Sequence, residues 1–117
     1  MKLEQIVAEL GLTELTPAAG DAVDGEITRG YASDLLSDVL ANAPSGGLLV
    51  TLQVHLNVIA VAAHADLTAV VFAGGRRPDD EIVAKAVEEG LALYASGDDT
   101  FEVVGRLYAL GLRGRGA

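Results

Sequence analysis

Apolar residues follow two alternating patterns along this chain: short unbroken runs, and longer stretches in which they recur every three or four positions. The runs at 48–52, 69–73 and 91–95 have the length and apolar content of buried strands. A stretch of helical periodicity follows each run. Since strands that alternate with helices pair in parallel through right-handed crossovers, this order predicts an α/β fold with a mainly parallel sheet and helices on both faces.

The N-terminal part of the chain predicts less regular structure. Residues 3–10 have helical spacing and end at Gly11, and a loop over 12–24 follows, with a short strand near 13–15. Residues 26–31 predict a strand that contains a glycine, which marks a bulge or a close backbone approach. Four further helices are predicted. The first begins with a cap at Ser33, and the other three cover about 55–65, 78–90 and 99–112.

The last helix is predicted to begin at Asp99, because Glu102 lies three positions further on, as in a capping box. The segment 113–117 consists of glycine, arginine and alanine and has nothing to bury. We therefore expect one α/β domain over residues 1–112 and a flexible tail over 113–117. The predicted buried stripe of the last helix is Phe101, Val104, Leu107, Tyr108 and Leu112.

The balance of charges excludes two classes of partner. With 17 acidic and eight basic residues, the chain carries a formal net charge of −9, which repels phosphate backbones and anionic lipid surfaces. We therefore expect neither nucleic acid nor a membrane as a partner. The longest apolar stretch, 58–63, is far shorter than the ~20 residues of a membrane-spanning helix. Cysteine is absent, which excludes thiolate chemistry, and the composition predicts a cytoplasmic protein.

The apolar content predicts self-association. Half of the residues are apolar, and a domain of 117 residues has too little interior to hide them all. Contact with a second copy is the simplest explanation for apolar surface that remains outside the core. We expect a homodimer or a larger closed oligomer.

The sequence lacks the motifs of several enzyme classes. Neither of the two lysines follows a glycine-rich loop as a P-loop requires, and neither G-x-G-x-x-G nor G-x-S-x-G occurs. The two histidines, His55 and His64, lie nine positions apart, which places them on opposite faces of a helix. Asp34 and Asp38 are spaced to hold a hard cation, but a solvated acidic face is the commoner outcome. We predict no catalytic residues, no cofactor and no metal site.

The loops that follow the first two predicted buried strands form the candidate ligand site. In a parallel sheet both loops emerge at the same edge, where open α/β sheets bind their ligands. Glycine N–H groups and guanidiniums at a helix start suit a phosphate or carboxylate, and the polar side chains of the first loop suit the rest of the ligand. The alternative is that the arginines pair with Asp79, Asp80 or a neighbouring subunit. The candidate residues are Gln53, His55, Asn57, Gly74, Gly75, Arg76 and Arg77.

The segments 30–39, 51–57 and 73–79 resemble stand-alone DRTGG-domain proteins, and the likeness extends over about residues 1–112. The two consecutive glycines of the name-giving pattern are present, whereas Val54 and His55 stand where many members have Asp and Arg. DRTGG domains occur alone or within phosphotransacetylases and CBS-containing pyrophosphatases, whose catalytic machinery lies elsewhere. Their fold is similar to the N-terminal domain of HPr kinase. The resemblance implies this fold and a regulatory role without catalytic residues.

The sequence thus predicts a non-catalytic regulatory or assembly domain that forms homo-oligomers and binds a small anion or nucleotide. Two alternatives stay open: a small phosphoryl- or acyl-phosphate-transfer enzyme, and an accessory subunit that docks on a larger metabolic or redox enzyme. An enzyme needs a base, a nucleophile or metal ligands in one pocket, and the sequence offers at most His55, Asn57 and the two adjacent arginines.

Overall fold

The computed structural model describes residues 1–17 and 25–116. Its helices are α1 (Leu3–Leu10), α2 (Leu36–Asn42), α3 (Asn57–His64), α4 (Asp80–Glu88) and α5 (Thr100–Leu110). Its strands are β1 (Thr13–Glu14), β2 (Gly30–Ala32), β3 (Leu48–Thr51), β4 (Ala69–Phe72) and β5 (Ala92–Ala95). Part of the predicted loop, from 18 to 24, and the last residue of the predicted tail lie outside the described residues.

The five strands form one sheet in the order β1-β5-β4-β3-β2. Strands β2 to β5 are parallel neighbours, so that Leu49 of β3 aligns with Val70 of β4, and Val70 aligns with Leu93 of β5. Strand β1 runs antiparallel to β5, which identifies the partner of the short strand near 13–15. The three apolar runs therefore form the parallel core that the sequence predicts.

Helices cover both faces of this sheet, which confirms the predicted fold class. Helices α2, α3 and α4 connect β2, β3, β4 and β5 in three crossovers that advance in one direction across the sheet. Right-handed crossovers in one direction place their helices on one face. Helices α1 and α5 pack on the other face, where α5 runs back across the sheet to β3 and β2. None of the helices in the described ranges is long and apolar enough to cross a membrane.

The residues of the central strands alternate between two apolar layers. Leu48 and Val50 pack with α1 and α5, whereas Leu49 packs with α2, α3 and α4. Phe72 is fully buried in the second layer, as predicted. Because both faces of the sheet are covered at its centre, the three central strands are almost entirely apolar and not alternately polar.

The strand predicted over 26–31 is displaced toward the C-terminus. Strand β2 covers Gly30–Ala32, and the residues before it bond to the N-terminus. The Met1 amine donates to the Glu26 carboxylate at 2.7 Å, and the Ile27 N–H donates to the Met1 carbonyl at 2.7 Å. The prediction was therefore wrong for 26–29. The groups at the start of this segment form their hydrogen bonds with Met1 and not with a neighbouring strand.

One of the two helix caps read from the sequence is confirmed. Helix α5 begins with the predicted cap, since Asp99 Oδ1 accepts the Glu102 N–H at 2.9 Å. The helix predicted to follow Ser33 begins later, at Leu36. Ser33 Oγ accepts the Leu35 N–H at 3.2 Å, so its hydroxyl stabilises a turn that precedes the helix.

The buried stripe predicted for α5 is wrong at three positions. Phe101 is 87% exposed, Tyr108 is 57% exposed and Val104 is 37% exposed, while the other two members of the predicted stripe are buried. Val103 instead joins Leu107 in the layer beneath α5. Helix α5 carries two apolar stripes with helical spacing, and the direction in which the chain leaves β5 turns the stripe of Val103 and Leu107 toward the sheet.

The segment after α5 lies along the free edge of β2. The Gly30 N–H donates to the Arg113 carbonyl at 2.9 Å, and Gly30 forms a parallel bridge with Gly114. The Arg113 guanidinium lies 3.8 Å from the centre of the Tyr108 ring. The first two residues of the segment predicted as a tail are thus attached to the sheet and to α5.

Candidate functional site

The two loops predicted to bind a ligand are neighbours at one edge of the sheet. They follow β3 and β4, which are adjacent and parallel, so their carboxyl ends lie side by side. A Cβ atom placed on Gly74 would lie 3.3 Å from Leu52 Cδ2, which shows that the two loops are in contact. We call the seven exposed candidate residues on these loops the strand-end site: Gln53, His55, Asn57, Gly74, Gly75, Arg76 and Arg77.

The loop after β3 ends in a hydrogen bond made by a histidine ring. His55 Nδ1 accepts the Asn57 backbone N–H at 3.1 Å, where α3 begins. This bond places the proton of the neutral imidazole on Nε2, which is left as a donor. Within the described residues the His55 ring bonds to no side chain, so it activates no nucleophile there. The ring serves the start of α3 and offers one donor to a ligand.

The two glycines after β4 make a turn and not an anion-binding loop. Gly74 and Gly75 have φ angles of 68° and 71°, in the left-handed region that favours glycine. Gly74 N–H donates to the Asp98 carbonyl at 2.7 Å, and Gly75 N–H donates to the Ser96 carbonyl at 2.8 Å. The expectation that these N–H groups are free to bind an anion is therefore wrong. They join the loop after β4 to the loop after β5.

The positive charge of the strand-end site comes from two side chains. Arg76 and Arg77 are exposed, and neither belongs to any ion pair among residues 1–17 and 25–116. The pairing with Asp79 or Asp80 that the sequence left open is thus not formed within the described chain. Each guanidinium keeps a planar set of donors that matches a phosphate or a carboxylate.

A carboxylate holds the loop after β3 in place. Asp34 Oδ1 accepts the Thr51 hydroxyl at 3.0 Å and the Leu52 N–H at 2.7 Å. Thr51 is fully buried, and its own hydroxyl oxygen accepts the Gln53 N–H at 3.1 Å. Asp34 therefore positions the start of this loop, a role that sequence reasoning missed. The sequence could have indicated this role, because Asp34 follows β2 directly and so lies at the same edge of the sheet as the loop after β3. The predicted strand ended too early along the chain for this to be seen.

The loop after β5 is a second part of this edge that sequence reasoning missed. Asp98 accepts the Gly74 N–H through its carbonyl, and its carboxylate forms a salt bridge of 3.0 Å with Arg106. Arg106 also donates to the Glu9 carbonyl at 2.8 Å, which connects the loop to α1. The backbone of the two loops that form the strand-end site is thus fixed by Asp34 and by the loop after β5 before any ligand binds.

Asp38, the residue considered with Asp34 as a cation ligand, has intramolecular partners. Its carboxylate accepts the Asn42 amide at 2.9 Å and the Tyr31 hydroxyl at 2.8 Å. The hydrogen bond from Asn42, followed by that from Tyr31, lowers the pKa of Asp38, and the bond to Asp38 raises the pKa of Tyr31. In the described ranges, no group of three or more histidine, aspartate or glutamate side chains is arranged to hold a metal ion.

A cavity of about 490 Å³ lies away from the strand-end site, between β2 and α5. None of the seven strand-end residues lines it. Its lining includes Tyr31 of β2, Tyr108 of α5, and Arg113 and Arg115 of the C-terminal segment. Sequence reasoning missed this cavity because it treated 113–117 as a tail and did not place the C-terminal end of α5 beside β2.

Comparisons with known proteins bear on the fold. No protein-family model matches the chain, and no curated protein matches it significantly. Among solved structures, it is similar to the CBS and DRTGG domains of the regulatory region of Clostridium perfringens pyrophosphatase, in complex with the activator diadenosine tetraphosphate. The TM-score is 0.70 at 12% identity, and the match covers 91% of this chain and 45% of that chain. The chain thus shares the fold of a part of that regulatory region and spans less than half of its length.

Proposed function

We propose that this chain is a DRTGG-type regulatory domain without catalytic activity, which binds a small anion such as a nucleotide at the strand-end site. The observation that carries the proposal is the pair of exposed guanidiniums, Arg76 and Arg77, without a carboxylate partner in the described residues. A chain with a net charge of −9 has many carboxylates for pairing. Two adjacent arginines that form no ion pair with the described residues favour an anion from outside the chain.

The surroundings of the two arginines support this proposal. The loop after β3 contacts the loop of the arginines and contributes the side chains of Gln53 and Asn57 and the Nε2–H of His55. These groups suit the polar edges of a base or a sugar. The pyrophosphatase regulatory region was solved with diadenosine tetraphosphate, whose phosphate chain has the charge that two guanidiniums bind.

The first test is a calorimetric titration of the purified chain with inorganic phosphate, ATP and diadenosine tetraphosphate. We expect at least one of them to bind with a Kd below about 1 mM, and the Arg76→Ala/Arg77→Ala variant to bind about tenfold or more weakly. The affinity should fall as salt is added, because the guanidiniums are exposed and their attraction is screened.

The matched control is Lys2→Ala/Lys85→Ala, which also removes two positive charges, both at exposed positions outside the strand-end site. This variant should bind like the wild type. If the wild type binds none of the three anions below about 1 mM, or if both double variants lose the same affinity, the strand-end site is not an anion site.

We propose further that the domain self-associates through the exposed stripe of α5. Phe101, Val104 and Tyr108 lie at positions i, i+3 and i+7, so they share one face of the helix. A phenylalanine that is 87% exposed, with two apolar neighbours on the same face, favours contact with another apolar surface. A second copy presents the same stripe, as a twofold interface requires.

Sedimentation measures this assembly directly. We expect the wild type to sediment as a dimer or larger at about 50 µM, and Phe101→Glu to shift it toward the 12.0 kDa monomer. Val87→Glu is the control, because Val87 is half-exposed on α4 and takes the same charge. A wild type that is monomeric at this concentration, or an equal shift in both variants, contradicts the assignment of the interface to α5.

A further inference from the structure

The cavity between β2 and α5 has the size of a ligand site and is partly open to solvent. Its volume of about 490 Å³ lies within the range of about 300–1,000 Å³ that small-molecule sites occupy. It is formed where α5, having crossed the sheet, ends beside the edge strand β2, and the C-terminal segment closes one side of it. The proposed strand-end function does not use this cavity.

The inner wall of the cavity is apolar and rigid. Val50, Leu107 and Leu112 line it, and all three are also members of the buried layer beneath α1 and α5. Their positions are therefore set by the core and do not depend on a ligand. Val104 and Tyr108 also line the cavity and are 37% and 57% exposed, so an apolar ligand body that lies against this wall covers them and removes their apolar surface from water.

The rim of the cavity adds two tyrosines. Tyr31 and Tyr108 both line it, one from the edge strand and one from the helix. The Tyr31 hydroxyl is bonded to both carboxylate oxygens of Asp38, at 2.8 and 2.9 Å, which holds its ring in place. The Tyr31 ring packs against the layer of α2, α3 and α4, so Tyr108 is the lining aromatic side chain on the α5 side, where it favours a planar or aromatic ligand body.

The charge at the rim selects the sign of the ligand. Arg113 and Arg115 line the cavity, and Arg29 donates to the carbonyl of Gly114, another lining residue, at 3.5 Å. Two of the eight basic residues of the chain thus line the cavity and a third contacts its wall, in a protein of net charge −9. Such a concentration of positive charge raises the local concentration of anions and disfavours cations.

The two lining arginines differ in how firmly they are held. Arg113 Nη1 donates to the Tyr108 carbonyl at 2.9 Å and to the Leu112 carbonyl at 3.3 Å, which fixes the guanidinium over the Tyr108 ring. Arg115 is exposed and forms no ion pair with a carboxylate of the described residues. The opposing charge nearby is Asp38, whose carboxylate already accepts hydrogen bonds from Tyr31 and Asn42. Arg115 is therefore the arginine that is available to an incoming anion.

We propose that this cavity binds a small amphipathic anion, with an apolar or aromatic body against Val50, Leu107 and Leu112 and one anionic group at Arg113 and Arg115. The body provides the affinity and the arginines provide the preference for negative charge. The site shares no residue with the strand-end site, so either proposal can fail without the other. It shares Val104 and Tyr108 with the exposed stripe of α5, so binding is measured at a dilution where sedimentation shows a monomer.

The test uses anilinonaphthalene sulfonate, a fluorescent probe with an aromatic body and one sulfonate group. Titration into the folded full-length chain should saturate at one probe per chain, and the neutral analogue phenylnaphthylamine should bind about tenfold or more weakly. Inorganic phosphate, which lacks a body, should not displace the probe at millimolar concentrations. Equal binding of the charged and neutral probes overturns the proposal.

Two variants locate the probe. Ala32→Glu places a carboxylate on the cavity wall, and Arg115→Ala removes the available guanidinium; each should weaken sulfonate binding by about tenfold. The matched controls are Ala84→Glu and Lys85→Ala, which make the same changes of charge on the exposed side of α4 and should leave binding unchanged. Circular dichroism and thermal melting establish that each variant is folded.

The result that overturns the assignment is sulfonate binding that survives both cavity variants, or that falls equally in the α4 controls. If Ala32→Glu prevents folding, Arg115→Ala alone tests the site. Arg115 is exposed in the C-terminal segment and belongs to neither buried layer, so its substitution should leave the fold intact. Unchanged binding in that variant, with the neutral probe bound equally well, removes the anion site.

Discussion

Replacing Phe72 with alanine is expected to lower the free energy of unfolding by about 3–5 kcal/mol, the cost of emptying a large buried site. Phe72 is fully buried at the end of β4, in the layer that joins the sheet to α2, α3 and α4. Because the sheet and three helices enclose this ring, the surroundings cannot collapse easily into the space that it leaves. Urea unfolding followed by circular dichroism, at a fixed protein concentration, measures the loss.

The second phenylalanine of the chain is the matched control. Phe101→Ala deletes the same side chain from a position that is 87% exposed, and we expect it to change stability by less than about 0.5 kcal/mol. Both variants are measured at a dilution where sedimentation shows a monomer, so that the proposed α5 interface does not contribute. A loss below about 1 kcal/mol for Phe72→Ala, or a larger loss for Phe101→Ala, contradicts the assignment of the core.

The three central strands β3, β4 and β5 could be predicted because they are buried on both faces. The segment 69–72, for example, is Ala-Val-Val-Phe and contains no polar residue, which distinguishes it from a strand with one solvated face. Its length and the glycine pair that follows set its end. Local composition is sufficient for such an element, since both faces of the strand pack in apolar layers.

The face that α5 buries could not be predicted in the same way. Both Val103 with Leu107 and Phe101 with Tyr108 fit the spacing of a buried helical stripe. The choice between them depends on how the chain leaves β5 and crosses the sheet, and hence on a strand order that no local pattern contains. The same missing information concealed the cavity, which exists because α5 ends beside β2.

For the strand-end site, the sequence predicted the location but not the bonding. Parallel strands place the loops after β3 and β4 at one edge, which required only the order of elements along the chain. The hydrogen bonds of Gly74 and Gly75 to the loop after β5 depend on which strand lies next to β4. The hydrogen bond that Asp34 accepts from Thr51 likewise depends on β2 lying beside β3. Contacts between neighbouring loops thus cannot be predicted from the sequence of each segment alone.

The second large effect is expected at Gly47, in the turn that leads from α2 into β3. A Cβ atom at this position would lie 2.7 Å from the Pro44 carbonyl oxygen and 3.0 Å from the Arg29 carbonyl oxygen. Both obstacles are backbone atoms, and the Arg29 carbonyl accepts the Leu48 N–H at 2.9 Å where β2 and β3 begin to pair. Gly47→Ala must therefore displace two backbone segments, and we expect a loss of about 1–3 kcal/mol in urea unfolding.

Gly105→Ala is the control of opposite sign. Gly105 lies within α5, and a Cβ atom there meets nothing within 4 Å, so alanine should raise stability by about 0.5–1 kcal/mol through its helix propensity. Because Gly47 fixes the residues that precede β2, its substitution should also weaken binding of the sulfonate probe in the cavity that β2 lines. Wild-type stability in Gly47→Ala would show that the turn has room for a side chain, and it would contradict the tight pairing of β2 with β3 on which the cavity depends.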